Sequence, residues 1–397
     1  MARSINLKPF REFLRSEQAG GIILICCVII SLSIANSGFG ETFQAFLNRK
    51  MGFNTSGLSL EYPLSLWIND GLMAVFFLLV GLEIKREILE GELSSRRKAA
   101  MPVFAALGGM VVPAGIYSIL NLNSATAHGW GIPMATDIAF ALGVISLLGK
   151  RVPSSLKIFL AALAIADDLG AILVIAIFYT NELHWMQLLY SAGIMIVLLL
   201  MNKLGVKKLV FYIIPGLLLW YFVHHSGIHA TISGVLLALT IPTNPVRETS
   251  PLEKLEHIIV RPVNFIIMPV FALANTNIRF EKGMIGGLES PLGLGIILGL
   301  MLGKPLGVTL FSWLSVKLRL AQLPGNSGWK HITGLGMLAG IGFTMSIFIT
   351  LLSIKDTEHQ MIAKFAILTA SVCSGIIGYI FLNSLSSKIK PAHGRIK

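Results

Sequence analysis

The chain has 397 residues, of which 54% are hydrophobic and only 13% are charged, and its formal net charge is +12. Soluble domains carry about 25% charged residues, so this composition excludes an ordinary soluble globular protein. Many apolar runs reach the roughly 20 residues that cross a bilayer as a helix. The sequence therefore predicts an all-α integral membrane protein with one polytopic domain over residues 1–397.

Hydropathy predicts twelve membrane-spanning helices. In chain order they lie at about 13–36, 64–84, 99–120, 125–148, 156–179, 185–202, 206–223, 227–241, 257–275, 291–316, 331–353 and 361–384. Between the first two, residues 45–62 read AFLNRKMGFNTSGLSLEY, with a turn-like NTSG and an alternating LSLEY. This pattern fits a small external β-hairpin, and from the pattern alone an irregular loop fits it equally well.

Lys and Arg residues fall mainly on one side of the predicted membrane. Alternate connections, with both termini, hold 25 of the 32 basic residues, whereas the opposite connections hold six and Lys304 lies inside a span. This asymmetry follows the positive-inside rule and places both termini in the cytoplasm. The basic excess therefore indicates topology, and we expect no nucleic-acid partner.

The fourth and eleventh predicted spans carry residues that interrupt helices. The fourth reads WGIPMATDIAFALGV (130–144), with Pro133 before Asp137, and the eleventh reads GLGMLAGIGFTMSIF (334–348), with four glycines. Proline and clustered glycine break helices, and transporters place such broken spans at ion sites. Asp137 would offset the positive N-terminal ends and Lys304 the negative C-terminal ends. Ordinary close packing through small residues is the alternative.

These two interrupted spans occupy matching positions in two three-span blocks, 99–179 and 291–384. Such an arrangement is typical of an inverted repeat.

The fifth span, LKIFLAALAIADDLGAILVIAIF (156–178), contains the adjacent acids Asp167 and Asp168. A central Asp costs about 2.5–3.5 kcal/mol on the insertion scale, while each Leu, Ile, Val or Phe returns about 0.3–0.6 kcal/mol. The apolar residues of this span therefore barely offset its two acids. Ionisable residues in that position most often mark an ion or proton pathway.

Asp137, Asp167, Asp168 and Lys304 would together carry a charge of −2 if all four were ionised. Such a cluster must hold protons, bind a cation or alternate between the two, and its acids would titrate as a coupled group. Neighbouring helical residues point about 100° apart, so one acid of the pair can meet Lys304 while the other faces an ion cavity. Thr136 would add a hydroxyl or carbonyl oxygen for Na⁺. A purely structural ion cluster is the alternative.

Several motifs in order along nearly the whole chain resemble those of the NhaA-type bacterial sodium/proton antiporters. They are NDGLMAVFFLLVGLEIKREILEGEL (69–93), ATDIAFALGV (135–144), LAIADDLGAI (163–172), GIHATISG (227–234), LEHIIVRPVNFIIMPVFALAN (255–275), GKPLGV (303–308) and GIGFTMSIF (340–348).

The resemblance implies twelve helices, an inverted repeat, two broken helices crossing at the midplane and a cytoplasmic funnel. It implies that Asp167 and Asp168 bind Na⁺ and exchange protons, with Asp137 and Lys304 at the crossing and Lys304 able to pair with Asp167. The implied activity is electrogenic, pH-regulated export of Na⁺ or Li⁺ in exchange for protons, without a cofactor and without enzymatic catalysis. The implied form is a homodimer in the bacterial inner membrane, joined through the hairpin at 45–62.

The resemblance also ties the pH response to Glu83, Glu87, His229 and Glu256. From the sequence alone, His229 fits a packing histidine as well, and Glu83 and Glu87 fit solvated acids beside Lys85 and Arg86. Asp70 fits a helix-end acid better than a ligand.

Two other functions use similar residues. A proton-coupled carrier of an organic anion would use Lys304 as substrate ligand, but it would need further positive charge at the midplane. An intramembrane aspartyl protease also uses two membrane aspartates, but its GxGD motif is absent from this sequence. Ion flux and peptide cleavage would discriminate between these functions.

Overall fold

A computed structural model of the chain describes residues 18–55, 58–180, 182–243, 250–281, 283–325 and 327–386. The two termini, whose cytoplasmic position the basic residues predict, lie outside these ranges.

The described residues form fifteen helices joined by short connections. They are α1 Gln18–Ala35, α2 Gly40–Leu47, α3 Leu64–Leu89, α4 Arg96–Leu120, α5 Ile138–Leu147, α6 Ser154–Phe178, α7 Trp185–Lys203, α8 Val210–His224, α9 Ile232–Thr240, α10 Pro251–Asn275, α11 Met284–Leu288, α12 Pro291–Lys317, α13 Trp329–Ala339, α14 Phe343–Ser353 and α15 Thr357–Ser386. Three of them contain a π-helical turn, at Trp67–Leu72 in α3, Val263–Ile267 in α10 and Gly299–Gly303 in α12. Two 3₁₀ segments, Ala127–Met134 and Gly149–Arg151, flank α5.

Eight segments of the described chain are long and apolar enough to cross a membrane. They are α3, α4, the composite segment Ala127–Leu147, α6, α7, α10, α12 and α15. Two bent pairs raise the count to ten: α1 with α2, bent by 113°, and α13 with α14, bent by 50°. The prediction of a helical membrane protein is therefore confirmed.

The remaining two predicted spans, 206–223 and 227–241, coincide with the shorter helices α8 and α9. These have 15 and 9 residues. At 1.5 Å per residue, α9 covers about 14 Å, roughly half the hydrocarbon thickness. The count of twelve full spans stays a prediction at these two positions.

A small β-hairpin follows α2, as the alternating pattern predicts. Strand β1 (Lys50–Met51) pairs antiparallel with β4 (Tyr62–Pro63), and β2 (Asn54–Thr55) pairs antiparallel with β3 (Leu58–Ser59). The hairpin begins later than the predicted residue 45, because helix α2 continues to Leu47.

The backbones of helices α4 and α12 come into direct contact at one pair of glycines, Gly108 and Gly307. A β-carbon at Gly108 would lie 2.1 Å from the carbonyl oxygen of Gly307, and one at Gly307 would lie 2.1 Å from that of Gly108. Small residues permit such close approach between helices in a membrane. This contact helps to bring Lys304 of α12 against the centre of the molecule, where it is fully buried.

Candidate functional site

The two interrupted spans cross at their breaks, as predicted. The break in Ala127–Leu147 is the extended peptide 135–137, and the break between α13 and α14 is 340–342. The backbone N–H of Asp137 donates to the carbonyl oxygen of Ile341 at 2.7 Å, and the hydroxyl of Thr136 lies 3.0 Å from the carbonyl oxygen of Ala339. The two breaks therefore satisfy each other's backbone groups, which water cannot do inside a bilayer.

Local sequence explains both breaks. Pro133 cannot donate a backbone hydrogen bond, and Asp137 is a favoured N-cap residue that begins α5. A β-carbon at Gly340 would lie 2.4 Å from the carbonyl oxygen of Leu300, and one at Gly342 would lie 3.0 Å from that of Ala135. The glycines thus allow the second broken span to approach neighbouring backbone.

Asp137 caps two helices with one carboxylate. Its Oδ1 accepts from the N–H of Phe140 at 3.1 Å, at the start of α5. Its Oδ2 accepts from the N–H of Thr344 at 3.1 Å and from the Thr344 hydroxyl, at the start of α14. A negative charge at two helix N-termini is electrostatically favourable. The structure thus places Asp137 where the sequence predicts charge compensation.

Lys304 forms a buried ion pair with Asp167. Both side chains are fully buried, and the ammonium contacts Oδ2 of Asp167 and, at 2.9 Å, the Thr136 hydroxyl. That hydroxyl lies 2.6 Å from the same Asp167 oxygen. Lys304 thus contacts the C-terminal end of α13 through Thr136, whose hydroxyl also lies 3.0 Å from the carbonyl oxygen of Ala339.

Asp168 differs from its neighbour in having no hydrogen-bond partner for either carboxylate oxygen among the described residues. It is 1% exposed and lines a cavity of about 620 Å³, whose described lining includes Thr136, Asp137 and Glu83 but neither Asp167 nor Lys304. Oδ1 of Asp167 also has no partner in the described chain. Buried carboxylate oxygens without partners are costly, so three of them together suit a site that takes up protons or a cation.

The cavity runs along α6 toward the basic connections. It touches Lys157 in the first turn of α6 and Asp168 in the middle of that helix, and it also touches Arg261 of α10. Eleven residues of helix correspond to about 16 Å. The cavity is therefore a path from one face of the protein to its central acids.

Three of the four residues assigned to a pH response gather where α3 meets α10. Glu83 lines the cavity. Arg86 Nη1 lies 2.5 Å from Oε1 of Glu256, and Arg86 Nη2 lies 3.6 Å from Oε1 of Glu87. The second oxygen of Glu256 is buried and has no partner among the described residues.

His229 lies apart from these glutamates. It sits in the connection between α8 and α9, where its electrostatic neighbours are Asp70 and His224. Asp70 lies in the π-helical turn near the start of α3, and its carboxylate is 3.3 Å from Nδ1 of His224. The structure therefore divides the predicted pH-response residues into two groups.

Sequence reasoning missed two hydroxyl residues that hold the crossing. Thr344 donates to Asp137 across 207 positions, and Ser371 of α15 accepts from the N–H of Phe343 at 3.1 Å. Thr344 stands inside the quoted motif GIGFTMSIF, but a hydroxyl in a span does not indicate its partner.

Sequence comparisons with known proteins find relatives along nearly the whole chain. The family model for Na⁺/H⁺ antiporter 1 matches residues 11–382. The chain is 65% identical over 385 residues to Na(+)/H(+) antiporter NhaA 2 of Flavobacterium johnsoniae, covering 97% of this chain and 94% of that protein. It is 50% identical over 375 residues to Na(+)/H(+) antiporter NhaA 1 of the same organism, covering 94% and 96%. It is 48% identical over 390 residues to Na(+)/H(+) antiporter NhaA of Shewanella loihica, covering 98% and 99%. On this match, the chain belongs to the Na⁺/H⁺ antiporter 1 family.

Proposed function

We propose that this protein exports Na⁺ or Li⁺ from the cytoplasm in exchange for protons, by alternating access and with net movement of charge. The observation that carries the proposal is Asp168, whose buried carboxylate lines the inner cavity without a hydrogen-bond partner in the described chain. The names of the relatives, which are Na(+)/H(+) antiporters, support the choice of ions.

In this cycle Na⁺ enters through the cavity and binds Asp168. The hydroxyl of Thr136, which lines the cavity, is a further oxygen ligand of the kind that hard cations prefer, and the unpartnered Oδ1 of the adjacent Asp167 becomes another when the Asp167–Lys304 pair releases its proton. One proton leaves Asp168, and a second leaves the Asp167–Lys304 pair. The site then opens to the other side, where protons displace Na⁺. Two protons for one Na⁺ leave one net charge, so the membrane potential contributes to export.

We place the protein in the bacterial inner membrane, with its termini and the mouth of the cavity in the cytoplasm. The excess of Lys and Arg in alternate connections supports this orientation. The group around Arg86 supports pH regulation, because Glu83 lies in the cavity while Glu87 and Glu256 share the arginine. We also propose that the protein is a homodimer joined through the hairpin formed by β1–β4, as the resemblance implies.

Contacts at the crossing argue against the two other functions. Both oxygens of Asp137 accept helix-capping hydrogen bonds, and Asp167 is paired with Lys304. These two acids are therefore not disposed to activate one water for hydrolysis. An organic anion in the cavity would need a central cation, and Lys304 is absent from the cavity's described lining.

The test is Na⁺-dependent proton flux in proteoliposomes carrying the full chain. Asp168→Asn should abolish the flux on addition of Na⁺ or Li⁺, because a neutral amide cannot exchange a proton for a cation. Asp356→Asn is the matched control: Asp356 pairs with His359 and is absent from the described lining of the cavity. It should leave the flux unchanged. Full flux in the Asp168→Asn protein would refute the proposal.

A further inference from the structure

A second cavity, of about 630 Å³, lies where α4 and α6 begin and α12 ends. Its charged lining residues are Glu92, Arg97, Lys98 and Arg319. It shares only one described lining residue with the cavity of Asp168, namely Ile158 of α6. All three basic residues belong to the basic connections, so the cavity opens on the face that we place in the cytoplasm.

Positive charge in this second cavity is not balanced. Lys98 lies 3.8 Å from Glu92, which matches one of the three cations. Within the described chain, Arg97 and Arg319 have no ion pair and no side-chain hydrogen bond. Two guanidinium groups in one cavity are suited to an anion with several oxygens, because each can donate two parallel hydrogen bonds.

The backbone at Arg319 is strained in a way that glycine would avoid. Arg319 has φ = +59° and follows the C-cap residue of α12. The N–H of Leu320 donates to Ser315 O at 3.0 Å, and the N–H of Arg319 donates to Val316 O at 3.0 Å, which together form a Schellman motif. Glycine is the usual residue at this position. Strain retained by a residue that lines a cavity suggests that its side chain is used there.

Apolar surface continues from this cavity onto the flank of the protein. Ile158 and Leu320 both line the cavity and are 51% and 47% exposed. Phe159 and Ala162 extend the apolar lining along α6. A soluble phosphate compound would make no use of this surface, whereas the acyl chains of a lipid would cover it.

We propose that the second cavity binds the phosphate headgroup of an anionic membrane phospholipid. Arg97 and Arg319 hold the phosphate oxygens, and Ile158 and Leu320 contact the upper part of the acyl chains. Basic pockets between helices on the cytoplasmic side of membrane proteins commonly bind such headgroups.

The test measures binding of phosphatidylglycerol to the purified full chain in detergent, by native mass spectrometry and by the shift in melting temperature. Arg319→Gly is the informative variant, since it removes the side chain and relieves the backbone strain. Removing one basic residue should weaken binding about fivefold, and Arg97→Ala with Arg319→Gly about 30-fold, from about 1 kcal/mol per basic residue. Arg96→Ala and Lys317→Gln remove adjacent basic residues that are absent from the described lining, and they should bind as the unchanged protein does.

Three outcomes would overturn the proposal. Equal loss in the Arg96 and Lys317 variants would indicate general surface charge. Equal binding of phosphatidylcholine would exclude recognition of an anionic headgroup. If glycerol 3-phosphate alone raised the melting temperature as much as phosphatidylglycerol does, the cavity would be assigned to a soluble phosphate compound. None of these readouts depends on Na⁺ transport, so the result is independent of the proposed antiport.

Discussion

Asp167 and Asp168 are neighbours in the chain, but the fold gives their carboxylates opposite surroundings. Asp167 meets Lys304 and Thr136, whereas neither oxygen of Asp168 has a partner among the described residues. The difference follows from helix geometry, because adjacent side chains diverge by about 100°. One acid can therefore stay paired while the other is offered to an ion.

This division predicts a strong energetic coupling between Asp167 and Lys304. Asp167→Asn leaves the Lys304 ammonium buried without a counter-ion. Lys304→Met leaves the Asp167 carboxylate buried without one. Each single change should lower the free energy of unfolding by about 3–5 kcal/mol, whereas the double variant should lose clearly less than the sum. Thermal unfolding of the four proteins in detergent measures the cycle. Additive losses would show that the pair is not coupled.

The charged residues of the site could be found in the sequence because each has a high free-energy cost inside an apolar span. Asp167, Asp168 and Lys304 interrupt apolar runs, and no surface role explains them. Thr344 could not be found in this way. A hydroxyl costs little in a span when it bonds to its own helix, so its bond to Asp137 depends on a crossing that only the fold creates.

At the scale of elements, the crossing depends on Asp137 bridging the starts of α5 and α14. Thr344→Val removes the hydroxyl donor while leaving the backbone N–H in place. The buried carboxylate of Asp137 then loses one of its three donors, which should lower the free energy of unfolding by about 1–3 kcal/mol. Thr344→Ser restores the donor and should behave as the unchanged protein does in thermal unfolding. A loss in Thr344→Ser with none in Thr344→Val would mean that methyl packing, rather than the hydrogen bond, is what matters.

Close packing of α4 on α12 supplies a second prediction at this scale. Gly108→Ala would drive a methyl group to 2.1 Å from the Gly307 carbonyl oxygen, and relieving the clash requires the helices to separate. We expect a loss of about 1–3 kcal/mol in the free energy of unfolding. Gly115→Ala is the control on the same helix, since its new methyl group meets no atom within 4 Å. A similar melting temperature for both variants would contradict the predicted clash.

Helix boundaries were only partly predictable from the pattern of apolar residues. The breaks near Pro133 and at the glycines of 340–342 carry local signals, and the structure has them. The π-helical turn before Lys304 carries none, because its sequence, Gly299–Gly303, is as apolar as the helix around it. The short length of α9 also carries no sequence signal, because the apolar segment 227–241 extends beyond the residues that form the helix.

At the scale of the whole molecule, His229 lies apart from Glu83, Glu87 and Glu256. This spatial grouping could not be predicted from the order of the residues along the chain. These residues belong to one predicted function, but His229 lies beside Asp70 near the start of α3, whereas Glu83 and Glu87 lie near the end of that helix. Charge asymmetry, in contrast, predicted orientation from the sequence alone, because it depends on which connections share a side and not on how helices pack.

The proposed exchange of two protons for one Na⁺ makes a prediction for the whole molecule. With equal, buffered pH on both sides, an interior-negative potential of 100 mV supplies about 2.3 kcal/mol for the one net charge. That energy corresponds to an outside-to-inside Na⁺ ratio of about 50 at equilibrium.

Proteoliposomes with a potassium diffusion potential and radioactive Na⁺ measure this ratio directly. The equilibrium value does not depend on which way the protein is inserted, so mixed orientations do not disturb it. Asp168→Asn vesicles give the background, since they should hold no gradient. One-for-one exchange moves no net charge and would give a ratio near one at every potential. That result would contradict our proposal that the Asp167–Lys304 pair releases the second proton of the cycle.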